Sequence, residues 1–255
     1  MVGDVVGRPG RRAVAALLPG LRQELGVGLT IANGENAAAG RGLTVATARE
    51  LFDAGVDVIT SGNHIWDQKE IIPALDEDAP IVRPQNYPPG TPGRGVMTCN
   101  GATIVNLQGR TFMVALDCPF RAADAILKRL PAGSTIIVDM HGEATSEKIA
   151  MGWYLDGRVS AVMGTHTHVG TVDARVLPRG TAFVCDVGMV GSRDSIIGDD
   201  VDAVLSRFLS GLPHRLPVAE NSRVLQFNSV LLDIDEATGL ARSIVRIDRE
   251  IERRE

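Results

Sequence analysis

Gly164-Thr165-His166-Thr167-His168 places two imidazoles one residue apart, directly behind the apolar run Val159-Ser160-Ala161-Val162-Met163. Side chains at i and i+2 of an extended chain share a face. The pair therefore offers two nitrogen ligands at the mouth of a strand, half of a metal site. Metal-capable residues recur at the ends of other apolar stretches: Asp4, Glu35-Asn36, Asn63-His64 and His141. Four of the five histidines of the chain fall in this set. Histidines scattered over a surface would show no preference for such places.

Each residue also has a plainer reading. Asp4 suits a turn cap, Glu35-Asn36 and Asn63 suit turns, and His141 suits a core histidine bonded to a carbonyl. Taken together, the oxygen donors Asp4, Glu35, Asn36 and Asn63 and the nitrogen donors His141, His166 and His168 exceed what one tetrahedral zinc needs. Two ions roughly 3.5–4 Å apart, sharing a carboxylate and a water, use such a set well. Glu35 is the natural bridge, since a carboxylate can give one oxygen to each ion. Donors without thiolate suit iron, manganese or zinc. A two-metal site of this kind polarises a phosphoryl group and turns a bridging water into hydroxide near neutral pH. His64 is not needed as a ligand, and beside Asn63 it is placed to protonate the leaving oxygen as general acid. The turn Ser61-Gly62-Asn63-His64, ahead of the next helix, also offers backbone N–H groups to a phosphate. His214, between Pro213 and Arg215, reads as an exposed loop residue.

These residues need elements to hold them. Leu29-Thr30-Ile31-Ala32, Val56-Asp57-Val58-Ile59-Thr60, Thr135 to Met140 and Ala161-Val162-Met163 read as strands buried on both faces. Between them lie helical patterns. One runs from about Gly10 to Leu25, with a kink or break expected at Pro19-Gly20. Another runs from Val45 to Ala54 behind a Thr44 cap, with Gly55 as its stop. A third opens at Ser146-Glu147-Lys148 and ends near Gly157. Alternating strands and helices make an α/β fold, in which ligands collect outside the carboxyl ends of the strands. Arg83 to Gly95, rich in Pro and Gly, reads as a long surface loop. Arg223 to Ile251 alternates as an antiparallel ending does, with Asp235-Glu236-Ala237-Thr238-Gly239 as its turn.

The chain has 255 residues, 44% of them apolar and 22% charged, and a net charge of -5. The length suits one domain, taken here as residues 1–255. The mildly acidic balance argues against duplex nucleic acid as a partner. No stretch approaches the roughly 18 apolar residues of a membrane helix, and the start has no basic and apolar leader pattern. Cys99, Cys118 and Cys185 are odd in number and widely spaced, as expected of reduced, mostly buried thiols in the cytoplasm.

The set Gly3-Asp4, Gly34-Glu35-Asn36, Gly62-Asn63-His64, His141 and Gly164 to His168 resembles the calcineurin-like metallophosphoesterases, most closely their YmdB-type branch. Gly7-Arg8-Pro9-Gly10-Arg11, Arg83-Pro84-Gln85-Asn86-Tyr87, His141 to Lys148, Asp186-Val187-Gly188-Met189 and Asp194 to Gly198 extend the likeness over nearly the whole chain. The resemblance implies a four-layer αββα sandwich of two mixed β-sheets, a di-metal centre, and hydrolysis of 2′,3′-cyclic nucleotides to nucleoside monophosphates. It implies that Asp4, Glu35, Asn36 and His168 hold one ion and Glu35, Asn63, His141 and His166 the other. His64 matches the proton donor, and a homo-oligomer is implied as well. Where the superfamily carries Asp-x-His this chain has Asp4-Val5-Val6, and where it carries Gly-Asp this chain has Gly34-Glu35-Asn36. Both changes match the YmdB-type branch, with Asn36 in place of the lost histidine. An oxygen-rich first site favours iron, or manganese, over zinc. The family's first strand has several apolar residues before its Gly-Asp, whereas only Met1 and Val2 precede Gly3. The native start is therefore expected upstream of Met1.

Two other functions fit the same residues. One is a metal-binding regulatory or scaffold protein with incidental phosphoesterase activity, using the 83–95 loop and an exposed Tyr87 as its partner surface. The other is a hydrolase of a different ester or amide.

Overall fold

The computed structural model describes residues 1–252, so the last three residues of the expected domain, 253–255, lie outside the described residues. The chain opens with β1 (Val2–Val5), α1 (Gly7–Leu25), β2 (Ile31–Asn33), α2 (Val45–Asp53), β3 (Val58–Thr60) and the short α3 (Ile71–Leu75). It continues through β4 (Val96–Cys99), β5 (Ala102–Gln108), α4 (Pro119–Leu127), β6 (Ile136–His141), α5 (Thr145–Leu155) and β7 (Ala161–Thr165). The remainder is β8 (Arg175–Val176), β9 (Ala182–Val184), β10 (Met189–Ser192), α6 (Val201–Ser210), β11 (Val224–Phe227), β12 (Val230–Asp235), β13 (Leu240–Arg246) and β14 (Arg249–Glu252). The helices starting at Val45 and near Ser146 form where the sequence places them, whereas β2, β3 and β7 each begin two residues into the apolar run that marks them, at Ile31, Val58 and Ala161.

Two six-stranded sheets result. The first has the order β14-β11-β10-β1-β2-β3, with β10, β1, β2 and β3 parallel and β11 antiparallel to both its neighbours. The second has the order β4-β5-β6-β7-β9-β8, parallel in its centre and antiparallel at both edges. The expected hairpin at Asp235–Gly239 joins β12 and β13.

Alternation along the strands sorts side chains into three cores. Ile59 and Val190 pack with Val14, Leu18 and Leu51 of α1 and α2. Ile31, Val58, Ile104, Ile137 and Met163 fill the space between the sheets. Val105, Val138 and Phe183 pack with Ala123, Met151 and Leu155 of α4 and α5. Three cores between successive layers make the αββα sandwich. Strands apolar on both faces are the reason their sequences lack alternation.

The start of β1 shows how Asp4 is aimed. Val2 and Val5 both belong to the helix-side core, which strict alternation would forbid for residues three apart. A register shift between Val2 and Asp4 against β2 resolves this and turns Asp4 away from the helices. Gly3 lies so close to the residue that precedes β10 that a Cβ there would sit 2.0 Å from Gly188 O.

Three expectations need correction. α1 runs unbroken through Pro19 and Gly20. Both residues, and Ala15 one turn earlier, are exposed, so the carbonyl that loses its partner faces water. The 83–95 segment is not simply a surface loop: Arg83 and Asn86 are buried, and the Arg83 guanidinium donates to the carbonyls of Pro84, Thr91, Pro92 and Gly93. Tyr87 is half-buried edge-on against Trp66, with ring centroids 5.4 Å apart, which removes it as an exposed partner surface. Of the three unpaired cysteines, only Cys185 is buried. Among the described residues no helix is long and apolar enough to cross a membrane.

A proline inside a helix removes a ladder donor and crowds the preceding turn, which costs stability. Pro19→Ala should raise the unfolding free energy by up to about 3 kcal/mol in urea denaturation, with no change in the cleft.

Candidate metal centre

Continuing the same alternation toward the carboxyl ends of the strands changes the inter-sheet layer from apolar to polar. Asn33 follows Ile31, Thr60 follows Val58, Asn106 follows Ile104, Asp139 and His141 follow Ile137, and Thr165 follows Met163, each in steps of two. These residues are all buried. They satisfy one another across the gap: the Thr60 and Thr165 hydroxyls and the Asn33 amide donate to Asp139, while Asn106 Oδ1 accepts the Ser61 N–H.

On this platform the loops bring Glu35 to His141. Glu35 Oε1 lies 3.1 Å from His141 Nε2, with both side chains wholly buried. Asn63 Oδ1 also lies 3.1 Å from the same nitrogen. Gly62 is obligatory here, since a Cβ would meet the His141 ring at 2.2 Å and Glu35 Oε2 at 2.4 Å. The His141 and His166 rings pack edge-on with centroids 4.7 Å apart. Ligand atoms of Glu35, His141 and His166 all lie within 4.8 Å of one another.

A second group adjoins the first through Asn36, whose amide is 3.5 Å from Glu35 Oε1 and 2.8 Å from His168 Nε2. Asp4 Oδ1 lies 4.0 Å from His168 Nε2, and Asp4 Oδ2 accepts the His166 backbone N–H at 3.2 Å. Two buried oxygens in this group have no partner, Asp4 Oδ1 and Asn36 Oδ1. Buried polar atoms are rarely left so, and a cation would satisfy both.

Hydrogen bonds also fix which ring nitrogens face the centre. Thr165 Oγ1 gives its proton to Asp139 Oδ1 at 2.7 Å and so must accept from His141 Nδ1, 2.9 Å away. The His168 Nδ1–H donates to the Ile197 carbonyl at 2.7 Å. In both residues Nε2 is left toward the neighbouring carboxylates, the usual second contact of a metal-binding histidine. Burial pushes the Glu35 carboxyl up, but the adjacent His141 imidazolium and its hydrogen bond bring it below the usual range. His141 is correspondingly raised by Glu35 against the effect of burial. Burial raises Asp4 well above an ordinary aspartate. His166 is lowered to about 3 by burial and the nearby His141 charge. Burial lowers His168 as well.

One premise fails. His166 and His168 do not share a face of extended chain: β7 ends at Thr165, and the two residues have φ of 103° and 64°. These left-handed turns send one ring to each group. The turn expected to offer N–H groups to a phosphate keeps only part of that set. Its Ser61 and His64 N–H groups are taken by Asn106 and by Glu35 Oε2, and turns, not a helix, follow it as far as α3. The cleft over the centre, about 500 Å3, is walled by His64, Gln68, Glu143, Arg41 and Arg215 among others. His214 is exposed, as expected, but also lines this cleft. A larger cavity of about 1030 Å3 opens at the amino ends of the strands, away from these residues. Asn33, Asp139 and Thr165 carry one signal in the sequence, that each is a polar residue within or at the end of an apolar run.

The YmdB-like protein family matches residues 1–247. The chain is 49% identical over 254 residues to the 2′,3′-cyclic-nucleotide 2′-phosphodiesterase of Bacillus subtilis (strain 168), covering 96% of this chain and 94% of that one. Its backbone is similar to the crystal structure of a hypothetical protein from Thermus thermophilus, with a TM-score of 0.91 and 47% identity over 98% and 97% of the two chains. It is also similar to a novel phosphatase from Mycoplasma pneumoniae, with a TM-score of 0.92 and 32% identity over 98% and 92%. Agreement of motif residues, sequence and backbone from end to end makes the chain a member of the YmdB-like family.

Proposed function

We propose that the centre hydrolyses 2′,3′-cyclic nucleotides to nucleoside monophosphates, using two metal ions held by Asp4, Glu35, Asn36 and His168 on one side and Glu35, Asn63, His141 and His166 on the other. The observation that carries this is the position of Glu35 between two donor groups, one of which holds two buried oxygens without hydrogen-bond partners. The name of the B. subtilis relative supports the substrate class. When bound, the ions supply charge to polarise the phosphoryl group and acidify a water. The oxygen-rich group around Asp4 and Asn36 favours iron, with manganese or zinc as substitutes. The unpaired cysteines suit action in the reducing cytoplasm.

The protein's own residues orient the substrate and supply the proton. The cleft volume of about 500 Å3 is of the size that takes a small ligand. His64 lines it, with Nδ1 2.9 Å from Asp67 Oδ2. A carboxylate can only accept, so Nδ1 carries hydrogen and Nε2 is the nitrogen that exchanges a proton with the cleft. As water adds to phosphorus and gives up a proton to solvent, the bond to one ribose oxygen breaks and that oxygen takes the proton from His64 Nε2, which solvent then restores.

His64→Ala should keep both ions by elemental analysis yet lose about 10²–10⁴-fold in kcat on 2′,3′-cyclic AMP; loss of metal instead would refute the role. Glu35→Ala and His168→Ala should lose metal and activity together. Asp67→Asn should keep metal and retain more activity than His64→Ala, because it frees the ring without removing it.

A further inference from the structure

The turn that carries His166 and His168 is held by a buried ion pair that the reaction itself does not use. Lys148 Nζ lies 2.8 Å from Asp186 Oδ2, and both side chains are essentially without solvent contact. The same Asp186 oxygen accepts the Thr167 backbone N–H at 3.1 Å and the Thr167 hydroxyl at 2.7 Å. Its other oxygen accepts the Gly188 N–H at 2.8 Å. Lys148 Nζ also donates to the Thr165 carbonyl at 3.4 Å. The residue between the two histidines is thus clamped on its backbone and its side chain, and the carbonyl before them is held by the lysine.

Two features make this pair unusual as mere packing. Lys148 lies in the first turns of α5, where the helix dipole disfavours a cation, and it is buried besides. A buried lysine is retained only when paired. The turn it holds is strained, since His166 and His168 both have positive φ, and such conformations persist only where the surroundings over-determine them. The fit is close as well: a Cβ on Gly164 would lie 1.7 Å from Cys185 O and 2.8 Å from Lys148 Cδ.

We propose that Lys148 and Asp186 are positioning residues that lock the Thr165–His168 turn in its left-handed form, so that one imidazole reaches each metal. This rests on the di-metal reading above. Breaking the pair on one side leaves a buried charge unpaired, which would destabilise the fold whatever its purpose. The informative variant removes both charges at once, Lys148→Met with Asp186→Asn. Thr167→Val, which deletes only the hydroxyl, is the milder companion.

Three measurements on the full chain test this: Tm of the metal-free protein, affinity for Co²⁺ by chelator competition together with its visible spectrum, and amide exchange by NMR. The double variant should recover most of the Tm lost in either single variant. It should still bind Co²⁺ about 10–100-fold more weakly, with an altered visible band. Exchange at Thr167 and His168 should quicken at least about tenfold while amides of β6 stay protected. Thr167→Val should weaken Co²⁺ binding at unchanged Tm. Wild-type Co²⁺ affinity and spectrum in the double variant, or unchanged exchange at Thr167, would overturn the proposal. Quickened exchange in a protein whose wild type binds no Co²⁺ would instead remove the di-metal reading and leave the clamp standing.

Discussion

A carboxylate from one sheet and an imidazole from the other meet wholly buried, and the remaining architecture is arranged about that meeting. Glu35 follows β2 and His141 ends β6, so their 3.1 Å contact fixes how the two sheets lie against each other at their carboxyl ends. Neither charge could be buried alone. Removing one partner of such a pair typically costs about 3–5 kcal/mol, a large share of the stability of an ordinary domain. The contact must therefore be exact in register as well as in chemistry. Gly62 allows it by giving up its side chain where the Ser61–His64 turn passes over both groups.

Register is supplied by the layer beneath. Each central strand carries its apolar inter-sheet residues first and a polar one next, so the gap between the sheets changes character within one strand step. Asp139 gathers the Thr60, Asn33 and Thr165 donors from three strands of two sheets. Burial raises its carboxyl to about 6, and the His141 charge together with those donors limits the rise. A sheet that slipped by one residue would exchange this network for methyl groups, leaving buried donors and acceptors without partners. The apolar core and the polar platform thus enforce the same alignment, one by exclusion of water and the other by hydrogen bonding.

Much of this was legible in the residue order. Short apolar runs rich in Val and Ile mark strands buried on both faces, and Thr44 caps α2 as its side chain suggests, with Thr44 and Thr47 bonding each other's backbone N–H. The histidines, Glu35 and the asparagines stood out because polar metal donors followed those runs. The platform residues did not stand out. Asn33, Thr60 and Asp139 look like ordinary strand ends until pairing shows that they face one another. Pro19 misled because a local rule says nothing about which side of a helix faces solvent. Tyr87 misled because its partner Trp66 is distant in sequence and joined to it only by the fold.

The His-x-His pair is the most instructive departure. In extended chain its two rings would lie side by side and could serve only one ion position. The observed left-handed residues part them, so the His166 ring packs on His141 while His168 reaches Asn36. Asp4 joins these outcomes, since one of its oxygens holds the His166 backbone and the other faces His168. Strain in the backbone, not choice of rotamer, therefore sets the separation of the two imidazoles. A separation fixed in that way varies little when side chains move. A short motif can thus serve both donor groups because it is bent where periodicity alone would have drawn it straight.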